Sequence, residues 1–159
     1  MKIENPTIAE ANYMWNLAAK SELDVNSSYS YLMMTKFFND RCFVIKKDDN
    51  QVVGFVTGFI MKDDVYFVWQ IAIDPDYQGQ GLSKRLLDTA IQRLMHMHSI
   101  KFVQATVSPD NNASMGLFKK IASSYNTFFA IKDGFQEKHF PDEKPEEKLV
   151  QIGPLDIKY

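Results

Sequence analysis

The spacing of apolar and polar positions changes period several times along the chain, and each change marks an element. Val65 to Ile73 is a dense apolar and aromatic run of strand type. Asp74-Pro75 ends it, because proline has no ladder donor and restricts the residue before it. A helical pattern follows, with Leu82, Leu86, Ala90 and Leu94 on one face. Upstream, Lys2 to Asn5 reads as a short edge strand closed by Pro6. Thr7 with Glu10 forms a capping box for a helix running to about Ala19. Ser21 to Asn26 breaks that helix, and Ser27 or Ser28 can cap a second one, whose face carries Tyr31, Met34, Phe37 and Phe38.

The period then shortens. Cys42 to Lys46 and Val52 to Ile60 read as strands around an Asp48-Asp49-Asn50 turn, and Lys62-Asp63-Asp64 turns into the central run. Phe102 to Val107 is a further strand. Asp110-Asn111-Asn112 opens a helix with Met115, Leu117, Phe118 and Ile121. Thr127 to Ile131 reads as a strand, Lys132 to Lys148 as a long exposed loop, and Leu149 to Ile152 as a last short strand. The order β-α-α-β-β-β-α-β-α-β-β predicts an α/β sandwich with a mixed sheet. The 159 residues are expected to form a single domain, spanning 1–159.

Composition narrows the classes. Hydrophobic content of 45% and charged content of 24% suit a globular protein. A net charge of −2 gives no electrostatic footprint for nucleic acid or an anionic membrane. The lone Cys42 cannot form an internal disulfide, which fits a reducing compartment. The start MKIENPTIAE has no apolar signal core, and no run approaches a membrane span. A cytoplasmic location is expected.

The chemistry begins at Gln78-Gly79-Gln80-Gly81-Leu82-Ser83, between the central strand and its helix. Strand, glycine-rich turn and helix present free backbone N–H groups at the positive end of a helix dipole, a cradle for a pyrophosphate. A dinucleotide fingerprint requires a third glycine where Lys84 stands, and a triphosphate loop requires Gly-Lys-Ser/Thr. The spacing instead resembles the Q/R-x-x-G-x-G/A turn of the GNAT superfamily of acyl-CoA N-acyltransferases, with Ser83 in place of the last small residue. A ligand-free connection with two turn glycines is the bland alternative. A second block, ATVSPDNNASMGLFKK, is also similar to the superfamily. Asn111 falls at its asparagine, and Phe118 falls where many members carry a tyrosine that protonates the leaving thiolate. Phenylalanine cannot supply that proton.

Three further stretches, LDVNSSYSYL, FVWQIAIDP and ATVSPDN, together with the ending KLVQIGP, resemble the L-2,4-diaminobutyrate acetyltransferases of ectoine biosynthesis. The resemblance runs over nearly the whole chain. It implies a GNAT-type fold, with a mixed, mostly antiparallel sheet flanked by helices, and a homodimer. It implies acetyl transfer from acetyl-CoA to the 4-amino group of L-2,4-diaminobutyrate, with no metal. It implies cofactor contacts along Ile71, Ala72 and Ile73, at the turn Gln78, Gly79, Gln80, Gly81, Leu82 and Ser83, and at Asn111 and Phe118.

A diamino acid needs acceptor oxygens for its ammonium groups and donors for its carboxylate. Asp24 and Glu147 are candidates for the first, with Glu146 adjacent to Glu147. Asn26, Ser27, Ser28 and the helix start there are candidates for the second, with Tyr29 alongside. Trp69 can wall the pocket and stack on an ammonium. Asp24, Trp69 and Glu147 are the candidate catalytic set. Asp24-x-Asn-Ser-Ser can equally be a capped loop, and Trp69 can be core. His96 and His98, two apart on a helix, point in different directions and suggest no metal pair. Cys42, in an apolar strand, reads as core rather than nucleophile. Two rival readings stay open: a GNAT enzyme for another amine, and a non-catalytic acetyl-CoA sensor.

Overall fold

A computed structural model describes residues 1–21, 23–62 and 64–156. Glu22, in the expected break after the first helix, and Asp63, in the expected turn before the central strand, lie outside the described residues. The elements follow the expected order: β1 Lys2–Glu4, α1 Ala11–Lys20, α2 Ser28–Phe37, β2 Phe43–Lys46, β3 Val52–Met61, β4 Val65–Ile73, α3 Leu82–His98, β5 Phe102–Val107, α4 Asn112–Ser124, β6 Phe129–Phe135 and β7 Glu147–Ile152. The strands form a sheet in the order β1-β2-β3-β4-β5-β7-β6. β4 and β5 pair parallel, while β1–β2, β2–β3, β5–β7 and β6–β7 pair antiparallel. This is the mixed, mostly antiparallel α/β fold.

The chain divides into two compact units, Met1–Phe59 with Val68–Arg93, and Ile60–Phe67 with Leu94–Tyr159. In the first, α1 buries Ala11, Met14, Leu17 and Ala18, positions at helical spacing, against Tyr31, Val44, Val52, Phe55 and Ala72. The Tyr31 and Phe55 rings meet edge-on at 6.1 Å. Removing Phe55 to alanine would cost about 3–5 kcal/mol, the usual penalty for an aromatic cavity. The predicted capping box is present: the Thr7 hydroxyl accepts the Ala9 N–H, and Glu10 takes the Thr7 N–H at 3.0 Å. It closes a 3-10 turn, Ile8–Glu10, that leads into α1. Glu10 is buried and also pairs with Lys46.

In the second unit β5 alternates, with Val103, Ala105 and Val107 buried. Its face is fixed by pairing with β7, where Gln104 stands opposite Gln151 and their side chains bond at 2.8 Å. α4 buries Phe118, Ile121 and Ala122.

Two expectations are corrected. The supposed loop from Lys132 to Lys148 is shorter: β6 runs on to Phe135, β7 begins at Glu147, and a 3-10 turn occupies Glu137–His139. β6 is the outermost strand, so polar residues there cost nothing and hide its strand character. Close pairing also demands Gly134, where a Cβ would lie 2.3 Å from the Glu147 carbonyl oxygen. Phe37, placed on the inner face of α2, is 63% exposed with the Lys36 ammonium over its ring. The helix ends there, so its last residue has no neighbouring turn to bury it.

Candidate active site

β4 organises the first unit's candidate residues because loops before and after it are bonded to its backbone and side chains. Its parallel ladder with β5 spans Val65–Phe67, and Val68–Ile73 runs on beyond that ladder. At its end, the Ile73 carbonyl accepts the Gln78 amide at 3.2 Å and the Ser21 hydroxyl at 3.4 Å. Asp74 follows, buried, accepting the Asp76 N–H at 2.9 Å and the Lys20 ammonium at 3.0 Å through each carboxylate oxygen. Burial alone would raise this carboxyl; the Asp76 N–H and Lys20 outweigh it and hold it below the ordinary value. One strand end thus fixes the end of α1 and the start of the glycine-rich turn.

In that turn Gly79 and Gly81 have φ of +79° and +74°. Left-handed residues alternating with others swing successive N–H groups to one side, forming an anion-binding nest. A Cβ added at either glycine would meet nothing within 4 Å, so the surface over the turn is open. Gly81 has no side chain with which to cap α3, and the first-turn N–H groups have no intrahelical partner. Gln80 is exposed, Ser83 half-buried, and the Leu82 side chain buried, so Leu82 can offer a ligand only its backbone. Ile71 is half-buried, and Ala72 and Ile73 are buried.

The Asp24 to Tyr29 loop lies at the start of α2. Ser27 occupies the N-cap position, yet its side chain makes no cap bond; its hydroxyl meets that of Ser30 at 3.1 Å. The Ser30 N–H is taken by the Ser27 carbonyl at 3.0 Å, so the start is open at the N–H groups of Ser28 and Tyr29, both exposed and without a side-chain cap. Asp24 is exposed and Asn26 half-buried. The Asp24 backbone is held from β4. The Gln70 amide donates to the Asp24 carbonyl at 2.7 Å, and the Tyr31 hydroxyl donates to Gln70 Oε1 at 2.8 Å. Burial pushes the Tyr31 phenol above its ordinary value. Trp69, beside Gln70, is 38% exposed and tilts on the Phe59 ring at 5.4 Å, so it is not core.

The sequence reading missed Tyr31 as more than packing and missed Gln70 altogether. The available signal was a carboxamide inside an otherwise apolar strand, FVWQIAI, which needs a partner when half-buried.

Asn111, Phe118 and Glu147 belong to the second unit. The Asn111 side chain caps α4, accepting the Ser114 N–H at 3.1 Å. Phe118 is 2% exposed. Glu147 is half-buried at the start of β7, opposite Phe135. Glu146 pairs with Lys148 at 3.5 Å and lines a cavity of about 460 Å³ with Pro109, Asp110 and Glu137. Among the described residues no group of acidic, histidine or cysteine side chains could hold a metal, and no helix is long and apolar enough to cross a membrane. Cys42 is buried and its thiol is pushed up to about 12, burial being the main cause, which leaves it inert as a nucleophile.

An open phosphate-type turn behind β4, with an open helix start behind a carboxylate, suits an acyl-CoA donor and a charged amine acceptor. Residues 11–122 match the model of the acetyltransferase (GNAT) family. The L-2,4-diaminobutyric acid acetyltransferase of Marinococcus halophilus is 42% identical over 96% of this chain and 89% of its own. The chain belongs to the GNAT family, among its L-2,4-diaminobutyric acid acetyltransferases. The enzyme of the same name from Halalkalibacterium halodurans is 43% identical over 96% of this chain and 82% of its own. A structure of diaminobutyrate acetyltransferase EctA from Paenibacillus lautus, in complex with its substrate L-2,4-diaminobutyric acid and coenzyme A, superposes with a TM-score of 0.90 at 29% identity. That match covers 99% of this chain and 97% of the other.

Proposed function

We propose that this chain transfers the acetyl group of acetyl-CoA to the 4-amino group of L-2,4-diaminobutyrate, giving N4-acetyl-L-2,4-diaminobutyrate for ectoine biosynthesis. The observation that carries the substrate is membership of the diaminobutyrate acetyltransferases along 96% of the chain. The family match at 11–122 includes residues of both units, which supports one acetyltransferase domain. The exposed Phe128, Ile131 and Phe135 on and beside the outermost strand support a homodimer, and sedimentation would show it. The reducing-compartment composition supports a cytoplasmic location.

Transfer is direct. The turn Gln78–Ser83 receives the pyrophosphate on its backbone N–H groups. The β4 N–H groups around Ile71 to Ile73, on the segment beyond the ladder, polarise the thioester carbonyl. Asp24 takes an ammonium group of the substrate, and the open start of α2 at Asn26, Ser27 and Ser28 takes its carboxylate. Trp69 walls the acceptor. The neutral 4-amine attacks the thioester carbon, the C–S bond breaks and the thiolate leaves, and the nitrogen sheds its extra proton to water or to the thiolate as the amide forms. Deprotonating a lysine-like amine of pKa about 10.4 at pH 7.4 costs about 4 kcal/mol, so its proton needs a carboxylate or water path. Phe118 has no proton to give the thiolate, which therefore leaves as the anion or is protonated by another group.

Turnover of acetyl-CoA against a panel of diaminobutyrate, polyamines, aminoglycosides and peptide N-termini tests this. Diaminobutyrate is expected to dominate kcat/KM. Preference for another amine would replace the substrate, and tight acetyl-CoA binding without turnover would make the chain a sensor.

A further inference from the structure

We infer that Gln70 and Tyr31 are positioning residues that set which nitrogen of the acceptor is acetylated, by holding the Asp24–Asn26 loop at a fixed place on β4. The inference rests on the reading of Asp24 as the residue that takes an ammonium group of the substrate, and it adds the device that aims it. Tyr31, Gln70 and Asp24 form a ring of one polarity, closed by the chain between residues 24 and 31. The Tyr31 hydroxyl donates to Gln70 Oε1, and Gln70 Nε2 donates to the Asp24 carbonyl. The loop is held at Asp24 on one side and, through Tyr31, at α2 on the other.

Each atom suits this polarity and few others. A phenol can accept and donate at once, and a carboxamide carries one acceptor and a two-hydrogen donor on a planar frame. Tyr31 is 2% exposed and its ring packs on Phe55, so the phenol oxygen cannot drift. Gln70 follows Trp69 and precedes Ile71 on the strand assigned to the thioester. The same side chain therefore ties the amine-binding loop directly to the acyl-binding backbone. Such a register matters because the α-amine is the less basic nitrogen, and reactivity alone favours acetylating it. A displacement of about 1 Å at a reacting centre is enough to change rates by orders of magnitude.

Two variants test the ring. Gln70→Glu keeps the shape but removes the donor to the Asp24 carbonyl. Tyr31→Phe removes the hydroxyl that orients Gln70 Oε1, and it remains useful if Gln70→Glu fails to fold. For either folded variant, KM for diaminobutyrate should rise about tenfold, the scale of one lost hydrogen bond in a charged site. KM for acetyl-CoA should stay within about twofold, and NMR of the product should show 2-acetyl compound absent from the wild-type reaction. Hydrogen exchange across residues 24–26 should quicken in Tyr31→Phe as the loop loosens. Faster exchange with wild-type KM and a single product would make the ring merely structural and overturn the inference. A wild-type enzyme inactive on diaminobutyrate would overturn the substrate reading and this inference together; an active wild type with kinetically silent variants overturns this one alone.

Discussion

The starts of α4 and α2 look alike in sequence, each preceded by a run of small polar residues, yet they are chemically opposite. Asn111 turns its side chain onto the Ser114 N–H and closes α4, whereas Ser27 turns away to Ser30 and leaves α2 open. The same contrast separates the 3-10 turn leading into α1, closed by Thr7 and Glu10, from α3, which begins behind a glycine. A closed start is finished business for stability. An open start leaves donors and half a positive charge for something outside the chain. Both open starts stand beside residues assigned to ligands. Changes at open starts should therefore move binding, and changes at closed ones should move stability.

The largest effect is expected at Gly81. A valine there must adopt φ near the present +74°, which a β-branched residue resists, and the nest would distort. Acetyl-CoA affinity should fall by about tenfold or more, roughly 1.4 kcal/mol, by titration calorimetry on folded protein. The strain, rather than crowding within the protein, is the cause, since nothing lies within 4 Å of that Cβ. An unchanged Kd would remove the cradle from the account.

Ser27→Asp fills the other open start with a charge. The helix dipole should gain about 0.5 kcal/mol and raise Tm slightly. The same carboxylate should repel that of the substrate by about 1 kcal/mol, near fivefold in KM for diaminobutyrate. Stability and affinity moving together would contradict an open carboxylate site.

At a closed start, Thr7→Ala should cost about 1 kcal/mol in denaturant unfolding and leave both KM values unmoved. Smaller still is the acid limb of the Tm profile. Asp74 is held below 3.8, so its contribution is complete above that pH and is lost as pH falls through the lower folded value. Asp74→Asn should lower Tm at neutral pH and flatten the limb below pH 4. A variant with the wild-type slope would assign the limb to other carboxylates, such as Glu10, whose carboxyl is likewise held low by Lys46 and Thr7 against the opposing effect of burial.

Local chemistry was legible and distant chemistry was not. β4, its Asp-Pro stop, the glycine turn and the Thr7–Glu10 box are written within a few residues, and period or spacing reveals them. Ser27 was readable as a cap position, but not its choice of Ser30 over the backbone, because both options use neighbouring atoms of similar energy. The Tyr31–Gln70–Asp24 ring joins positions 39 and 46 apart, and no pattern within the chain announces it. The lengths of β6 and β7 were hidden for the same reason: their polar residues become strand only through each other's ladder.

The central claim is that Asp24 and the open start of α2 hold the acceptor so that geometry overrides the lower basicity of the α-amine. Steady-state kinetics of Asp24→Asn with NMR of the product test it most directly, since the change removes a charge and keeps the size. The account predicts a raised KM for diaminobutyrate, an unchanged affinity for acetyl-CoA, and some 2-acetyl product. Wild-type KM, kcat and a single 4-acetyl product would contradict it.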